Sequence, residues 1–555
     1  MALNNPWVGY ITRSYEQIKE SLLSRLSIKA PEITDHSESN ILVIILSMFA
    51  GVAEMLSLYI DNMAREAFIA TARRFNSMVK LVKLLDYRVK AATAASVDVL
   101  FTFNAATSGS GTILKDTAVK TGSNITFLST QDVAVGTGVL SIFVPCKQLT
   151  HVVSQILGVT SGAANQAVVI GTNYVHDSMS IIIQSQTWTL VRTLGLSTPT
   201  DKHFIVEINT DGSAYIIFGD GTNGLIPPVA QNIICTYDTT LGSLGNVEKN
   251  TITTLVSVVT LPGVTTTTVN NNSAASSGSG YETVERLRVS APLSIRTLER
   301  AVTRQDYIDT ARLAPGVGKA EINFSCGKSL DVYIAPLGGG IAATALLTDT
   351  TTFFDGRRMV TTFVNVIAAG ESRLKIAANV TARFRENATA TKTDVENALV
   401  TFGSFDNQNI NRKVRTSDIV ALIDNLLRVD SVDLVGLSTI PYARPVNHTT
   451  QLLWTRETLA TSIAKVQWKL EYTLTGVRIF RNGIFTTTVP LATEYIDPQG
   501  ATKFTVTFGP YSDGMEWTFV TYPFLSNIEL DDYTMPKVEV GDLTITVTEQ
   551  LSQPI

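Results

Sequence analysis

The apolar residues of the first 90 positions recur at helical spacing. Ser14 and Gln17 can form a capping box ahead of a first helix, which the Ala-Pro pair at 30–31 would end because proline disfavours helix in the residue before it. Asp35 and Glu38 offer a second capping box ahead of a longer helix. The apolar positions of this longer helix are spaced alternately by four and three residues, as in a coiled-coil seam. The seam comprises Leu42, Leu46, Phe49, Ala53, Leu56, Ile60, Met63, Ala67 and Ala70.

A second apolar stripe runs along the same predicted helix. It comprises Ile41, Ile45, Met48, Val52, Met55 and Tyr59. Two apolar stripes on one helix predict more than one packing partner, and the first helix can cover one of them. A bundle within the chain and a bundle completed by other chains both remain open on this pattern. A third helix is expected over about residues 71–85.

The long apolar helix is not expected to cross a membrane. Its uncharged run at 39–53 has 15 residues, whereas a bilayer needs about 20 apolar ones. Residues 1–10 lack the basic region and the following apolar run of a signal peptide. We therefore expect a buried bundle helix in a chain without a targeting segment.

Beyond residue 97 the pattern changes from helical spacing to alternation. Residues 97–103 largely alternate as a half-buried strand should, and short Thr, Val and Ile runs recur between Gly, Asn and Asp turns to about residue 269. Parallel sheets need long crossover helices, and none is visible here. The pattern predicts barrel-like or sandwich β structure. Residues 270–280 then form a small, polar linker whose composition predicts a flexible hinge.

The rest of the chain mixes both periods. Strands and helices alternate in an order that predicts an α+β layer, and then a purely β pattern follows, with a hairpin signal at Asn482-Gly483. The predicted fold is therefore multidomain α+β. Its parts are a helical bundle segment at 1–90, a β-rich domain at 91–272, an α+β domain at 281–446 and a C-terminal β domain at 447–555.

Composition narrows the classes of function. The 555 residues contain only three cysteines, which excludes a disulfide scaffold, and the net charge of -5 argues against a nucleic-acid binder. Between residues 97 and 272 only 16 of 176 residues are charged, which is typical of a surface that other subunits cover. The whole negative balance lies in residues 447–555, with 7 Lys and Arg against 12 Asp and Glu.

The sequence offers little chemistry. Its cysteines and histidines have no metal-ligand spacing, and it contains neither a G-x-S-x-G motif nor a Walker loop. Residues 219–224, Gly-Asp-Gly-Thr-Asn-Gly, predict a glycine-driven turn between strands rather than a calcium or phosphate loop. We therefore expect no catalytic residue, no metal and no cofactor, and a protein that is not an enzyme.

A charged cluster with arginine as its only cation follows the linker. Arginine makes forked pairs with carboxylates better than lysine does, and the interleaved glutamates argue against contact with nucleic acid. We expect ion pairs within or between subunits here. The candidates for inter-subunit ion pairs are Glu285, Arg286, Arg288, Arg300 and Arg304.

Four stretches, in this order, resemble the baseplate J-like family, the baseplate wedge proteins of contractile-tailed bacteriophages. They are residues 56–72, residues 218–247 with the glycine-rich turn, residues 282–307, and a closing unit that contains residues 414–419. The resemblance spans about residues 35–440 and leaves the acidic C-terminal domain outside. Where the family has Gly-Gly-x-Asp before the glutamate cluster, this chain has Gly-Ser-Gly-Tyr at 278–281.

The resemblance implies a structural subunit of the tail baseplate, located in the virion and assembled in the cytoplasm of the bacterial host. Such wedge subunits form a sixfold ring around the hub, and the widening of the ring triggers sheath contraction. The implied partners are a second copy of the chain and other wedge subunits, contacted through the N-terminal helices. Neighbouring wedges would be contacted through the α+β and C-terminal domains, and sheath or hub proteins are further candidates. The interface expected on the long helix comprises Leu42, Leu46, Phe49, Ala53, Leu56, Ile60 and Met63.

Two other functions stay open. A receptor- or glycan-binding tail adhesin would use the Thr-rich β region or the C-terminal domain, with Trp454, Trp468 or Trp517 stacking on sugars. Core packing is the more ordinary role for these tryptophans. The equivalent baseplate subunit of a phage-like contractile injection system would have the same sequence features.

Overall fold

The computed structural model describes residues 14–209, 213–324, 329–440 and, with short gaps, 442–549. Residues 1–10, which are expected not to form a signal peptide, lie outside the described residues, as do Cys326 and His448. The described helices are α1 (Tyr15–Lys29), α2 (Ile41–Glu66), α3 (Phe75–Lys83), α4 (Val284–Thr297), α5 (Arg304–Leu313), α6 (Thr344–Asp355), α7 (Ala388–Phe402) and α8 (Thr416–Asp424).

The strands fall into three groups along the chain. Between α3 and α4 lie β1 (Ser96–Phe103), β2 (Gly111–Ile113), β3 (Ala118–Thr121), β4 (Thr126–Ser129), β5 (Val133–Val135), β6 (Ser141–Lys147), β7 (Thr150–Val159), β8 (Ala167–Thr172), β9 (Ser180–Ile183), β10 (Gln186–Leu190), β11 (His203–Ile208), β12 (Ser213–Phe218), β13 (Asn232–Thr239), β14 (Ile252–Leu255) and β15 (Thr267–Asn270). Among the later helices lie β16 (Val317–Phe324), β17 (Ser329–Pro336), β18 (Phe363–Ala368), β19 (Gly370–Ala382), β20 (Lys413–Val414) and β21 (Val429–Ile440). The last group is β22 (Arg444–Val446), β23 (Trp454–Thr458), β24 (Val466–Thr473), β25 (Gly476–Arg481), β26 (Ile484–Val489), β27 (Glu494–Ile496), β28 (Thr502–Val506), β29 (Glu516–Thr521), β30 (Ile528–Glu529), β31 (Thr534–Lys537) and β32 (Leu543–Glu549).

The N-terminal helices begin where their caps place them. Ser14 and Gln17 form the predicted capping box of α1. The second predicted capping box is wrong, because α2 begins after Asn40, whose side chain accepts the amide of Leu42. Asp35 instead accepts the amide of Ser37 in the preceding turn, at 3.0 Å. An asparagine directly before the apolar run is therefore the stronger start signal here.

The region between α3 and α4 contains two sheets that curve towards closure. The six-stranded sheet has the order β14-β3-β4-β6-β1-β15, and its edge strands β14 and β15 lie beside each other. The seven-stranded sheet has the order β7-β13-β9-β10-β11-β12-β8, with a parallel pair only between β10 and β11. Phe101 and Phe127 are buried in the first sheet, and Phe204 and Phe218 in the second, where Met78 of α3 joins them. The predicted barrel-like β structure is thus present. We call the six-stranded sheet the first barrel and the seven-stranded sheet the second barrel.

The predicted flexible linker is wrong. Residues 275–278 are buried, and Ser276 and Ser279 pair with Ser96 and Thr93 at the start of the first barrel. Asn271 is fully buried, and its side chain makes four hydrogen bonds. A composition of small residues suggests a flexible linker, but here the small side chains let the backbone pack closely against the start of β1.

The first part of the α+β region is a three-stranded sheet, β16-β17-β18, packed with α5 and α6, whereas α4 contacts α5 and α3. Helix α6 ties this sheet to the first barrel, where Lys147 of β6 pairs with Asp349 of α6 at 2.5 Å. The buried Asp98 carboxylate of β1 accepts hydrogen bonds from the amide and the hydroxyl of Thr344, the first residue of α6, both at 3.1 Å. Burial raises the pKa of Asp98 to about 6.

The second part is built on the long strand β19, with α7 and α8 against it. On one side β19 pairs antiparallel with β21, and on the other it pairs parallel with β31 and then with β32. Strands near the C-terminus therefore complete a sheet that begins more than 150 residues earlier, at Gly370. The segment between β21 and β31 forms two further sheets, β22-β29-β24-β25-β26 and β23-β28-β27, which enclose Trp468 and Trp517. The fold is thus the predicted multidomain α+β one.

Candidate assembly interface

Helix α2 exposes both of its apolar stripes. On the heptad seam Phe49 is 63% exposed and Met63 75%, and on the second stripe Met48 is 68% exposed. Leu42, Leu56 and Ile60 are exposed as well, whereas Leu46 and Ala53 are half-buried. Such an extent of apolar surface on a globular protein is the usual mark of an interaction site.

Helix α1 covers a third face of α2 and only the edge of the heptad seam, where Leu46 and Ala53 are half-buried. Val43 and Ala50 are buried on that face, and Glu54 accepts the backbone amide of Tyr15 at 3.1 Å. The expectation that the first helix covers one apolar stripe therefore holds only at the edge of the heptad seam, and the second stripe stays exposed. Besides Val43, mainly small and polar residues such as Ala50 and Glu54 line the covered face, and most of the large apolar side chains stay exposed.

The stripes do not include every exposed apolar residue. Ile44 is 44% exposed and Leu58 49%, and neither belongs to a predicted stripe. The uncharged run at the start of α2 could have indicated them, since a helix that is apolar all round needs partners on several sides. Together these residues and the two stripes form what we call the α2 surface.

The α2 surface is held to the rest of the chain by the turn between α2 and α3. The Glu66 carboxylate accepts the amides of Arg73 and Arg74, at 3.0 and 3.2 Å, where α3 begins. Although burial opposes it, this bonding lowers the pKa of Glu66. The guanidinium of Arg288, on α4, donates to the carbonyls of Ile69 and Ala72 at 3.2 and 2.8 Å. Arg288 of the predicted arginine cluster thus holds the turn that follows α2.

The other members of the cluster make contacts within the chain too. Glu285 pairs with Arg288 at 2.6 Å, and Arg286 donates to the carbonyl of Val317 at 2.6 Å. Arg304 pairs with Glu321 at 2.8 Å. Arg300 is exposed. Ion pairs between subunits at these residues remain a prediction.

The described residues place the glycine-rich motif in a turn. Asp220 accepts the amides of Thr222 and Asn223, at 2.8 and 2.6 Å, and these bonds lower the pKa of its carboxylate. A side chain at Gly219 would collide with the backbone of Gly224 at 2.3 Å. The motif is therefore a close-packed turn after β12, as its composition predicts.

Within the described part of the chain, no group of three or more Cys, His, Asp and Glu is arranged to hold a metal ion. Cys146 and Cys235 are buried free thiols, and burial raises the pKa of both, to about 12 for Cys235. Such thiols are protonated at neutral pH and are poor nucleophiles.

The tryptophans proposed as a sugar platform lie in a core. Trp468 and Trp517 are buried, and the indole of Trp468 donates to the hydroxyl of Thr521 at 3.0 Å. Trp454 is half-buried and packs edge-on against Phe519. Stacking on a sugar requires an open ring face, which the two buried tryptophans lack.

Length and composition alone would allow α2 to cross a membrane, and only 11% of its apolar window is buried in the described chain. The same length and composition suit a helix that is shared among several chains.

Residues 14–84 match the family described as bacteriophage baseplate protein, N-terminal domain. This range covers α1, α2 and α3 together with the turn that Arg288 holds. No curated protein matches the chain. A chain of the cryo-EM structure of the anti-feeding prophage (AFP) baseplate, 6-fold symmetrised, is 14% identical to it, with coverage of 78% of this chain and 90% of that chain. The TM-score of 0.27 is too low to carry an argument. The family match supports a structural role in a baseplate.

Proposed function

We propose that the chain is a wedge subunit of a contractile-tail baseplate, of the baseplate J-like type. The observation that carries the proposal is the exposed α2 surface, which lies inside the segment similar to a baseplate N-terminal domain. A helix with two open apolar stripes has room for two further helices. We assign these to a second copy of the chain and to another wedge subunit.

Burial of the α2 surface would drive this assembly. Each large apolar side chain removed from water contributes about 1.5–3 kcal/mol, before the cost of ordering is subtracted. Phe49, Leu56 and Met63 lie on the heptad seam, and Met48 and Met55 lie on the adjacent second stripe, all of them exposed. This supports a shared bundle whose core forms only when the partners meet.

The remaining domains would link neighbouring wedges into a sixfold ring around the hub, and the widening of this ring would trigger sheath contraction. The charge-poor barrels, with about 9% charged residues between positions 97 and 272, support burial against other subunits. In this role the protein acts in the virion tail after assembly in the bacterial cytoplasm, without catalysis.

The test is Phe49→Asp, with Asn62→Asp as the matched control. Both substitutions add one negative charge to exposed positions of α2, but only Phe49 lies on a stripe. We expect Phe49→Asp to prevent formation of wedge complexes and of particles with baseplates, scored by electron microscopy of bacteria that produce the particle. The isolated variant should keep the thermal unfolding of its β domains. Normal baseplates with Phe49→Asp would refute the proposal.

A further inference from the structure

We propose that a cavity where three parts of the chain meet binds a small multivalent oxyanion of the phosphate type. The cavity has a volume of about 520 Å³, within the range of small-molecule sites. Its walls come from the segment after α3, from the second barrel, and from α4, α5 and the end of α6. This inference goes beyond the proposed function and does not depend on it.

The charges on the wall of the cavity do not balance. Four cations line it, Arg88, Lys90, Arg192 and Arg357, against two carboxylates, Asp177 and Glu299, which leaves a surplus of two positive charges. His176 also lines the cavity, but burial lowers its pKa to about 4, so that it is neutral at pH 7.

Two of the arginines share a single carboxylate. Arg192 pairs with Glu299, and Arg357 approaches the same carboxylate oxygen at 3.8 Å. Burial, and after it the nearby charge of Arg192, lowers the pKa of Arg357. Arg192 also donates to the backbone carbonyl of Asp86 at 2.7 Å, and Arg357 donates to that of Phe353 at 2.8 Å. A guanidinium carries five N–H donors, and one carboxylate cannot make forked pairs with two guanidinium groups at once, so each arginine retains donors for a ligand.

Lys90 adds a cation that the chain neutralises only in part. Its ammonium donates to the carbonyl of Leu313 at 2.5 Å. Burial lowers the pKa of Lys90 to about 8. The nearby carboxylate of Glu282 accepts a hydrogen bond from the hydroxyl of Tyr87 at 2.9 Å. The positive charge of Arg286 also lowers the pKa of Lys90.

The remaining cation and its surroundings do not remove the surplus. Arg88 is paired with Asp177 at 3.2 Å, and the largely exposed Asp86 lies 3.7 Å from Arg192. With Asp86, Glu282 and Arg286 all counted, five cations surround the cavity against four carboxylates, so one positive charge remains in surplus. An oxyanion with several oxygens can accept from both guanidinium forks and from the ammonium, which explains why a compact, multivalent anion suits the cavity better than a monovalent one.

The probe is inorganic pyrophosphate, titrated by calorimetry into the full chain at constant ionic strength, with inorganic phosphate, sulfate and chloride as parallel arms. We expect saturable binding of pyrophosphate, weaker binding of phosphate and sulfate, and none of chloride. Binding should weaken about tenfold or more in Arg192→Gln and Arg357→Gln, since each loses a charged hydrogen-bond donor. The Arg192→Lys variant keeps the charge but not the forked donor geometry, so its affinity for pyrophosphate should lie between those of the original chain and of Arg192→Gln.

Arg300→Gln is the matched control, because Arg300 follows Glu299 in the chain but does not line the cavity. Its affinity should stay within about twofold of the original, a difference well below one charged hydrogen bond. Thermal unfolding without ligand checks the fold of every variant, and Arg192→Lys keeps the test decisive if a glutamine variant unfolds. Absence of saturable pyrophosphate binding, or equal binding in the Arg192 and Arg300 variants, would overturn the proposal.

Discussion

The apolar helix α2 is largely exposed and the polar linker at 270–280 is largely buried, which is the reverse of what their compositions suggest. Helix α2 leaves Met48, Phe49 and Met63 in water, whereas the linker residues Asn271 and Ser277 are buried. The apolar helix is open because its own chain offers only α1, which covers a narrow face. The polar linker can be buried because both polar atoms of the Asn271 side chain have hydrogen-bond partners.

The difference teaches that burial depends on partners and not on polarity alone. A polar group is tolerated in a core once its hydrogen bonds are made, and its loss then exposes the full cost of desolvation. An apolar group stays exposed when the surface that fits it belongs to another molecule. Four substitutions test the two sides of this comparison, beginning with the buried polar side.

Asn271→Ala should cause the largest loss of stability. The side chain accepts the amides of Thr251 and Ile252, at 2.9 and 2.8 Å, and donates to two carbonyls. Truncation leaves these buried groups unpaired, and we expect a loss of about 3 kcal/mol or more. Scanning calorimetry of the full chain measures it. In the control Asn272→Ala, at a half-buried position, the loss should stay below about 1 kcal/mol; equal losses would contradict this account.

Gly278→Ala should be the next most damaging change. A methyl group there would lie 2.4 Å from the carbonyl oxygen of Gly242 and 2.9 Å from the side chain of Ala95. The backbone would have to shift, at a cost of about 1–3 kcal/mol. Gly280→Ala is the control, because no atom lies within 4 Å of its added carbon. The melting temperatures of the two variants should therefore differ, and the same shift in both would show that the linker is not close-packed.

Asp98→Asn should change the pH dependence of stability. Its folded pKa of about 6 lies above the ordinary value of 3.8, so the folded chain holds this proton more tightly than the unfolded chain. The stability that protonation contributes is fully present below about pH 3.8 and is lost as the pH rises through about 6.

Asparagine keeps an acceptor for Thr344 without the charge. The variant should therefore gain stability relative to the original chain at pH 7–8, on the order of 1–2 kcal/mol, and lose that advantage towards pH 5. Melting temperatures across this range measure the difference. A constant difference between the two proteins from pH 5 to pH 8 would exclude a titrating contact between the first barrel and α6.

Met48→Gln should have the smallest effect on stability. The side chain is 68% exposed, so the free energy of unfolding should change by no more than about 0.5 kcal/mol, while self-association of the chain decreases. Val43→Gln is the contrasting variant, because Val43 is buried in the same helix. It should loosen the packing of α1 on α2, measured as faster amide exchange in both helices. A large loss of stability in Met48→Gln would show that its own chain covers this stripe.

Local patterns predicted much of the fold. The heptad spacing located α2, the serine cap located α1, and Asn482-Gly483 joins β25 to β26 as predicted. At α5 the short Asp306 does complete a capping box with Thr303, although a longer acceptor is the usual choice. These signals depend on neighbours within a few residues, so one sequence is enough to detect them.

Other features depend on contacts that no local pattern carries. The pairing of β19 with β31 and β32 joins residues more than 150 positions apart and connects the predicted C-terminal domain with the α+β sheet. The bonds of Arg288 to Ile69 and Ala72 span more than 200 positions. The cluster was visible as arginines and glutamates, but its carbonyl partners have no sequence signature. For the same reason the cavity charges were not predicted.

The strand order around β19 has a consequence for the time course of folding. During synthesis β19 and its antiparallel partner β21 leave the ribosome first, and β31 and β32, which pair with the other side of β19, follow only after the two sheets around Trp468 have been synthesised. One side of β19 must therefore wait with its backbone groups unpaired, a state that favours association with chaperones or misfolded copies. The sheet around β19 should therefore become resistant to proteases late, after the two barrels, whose strands all end by Asn270.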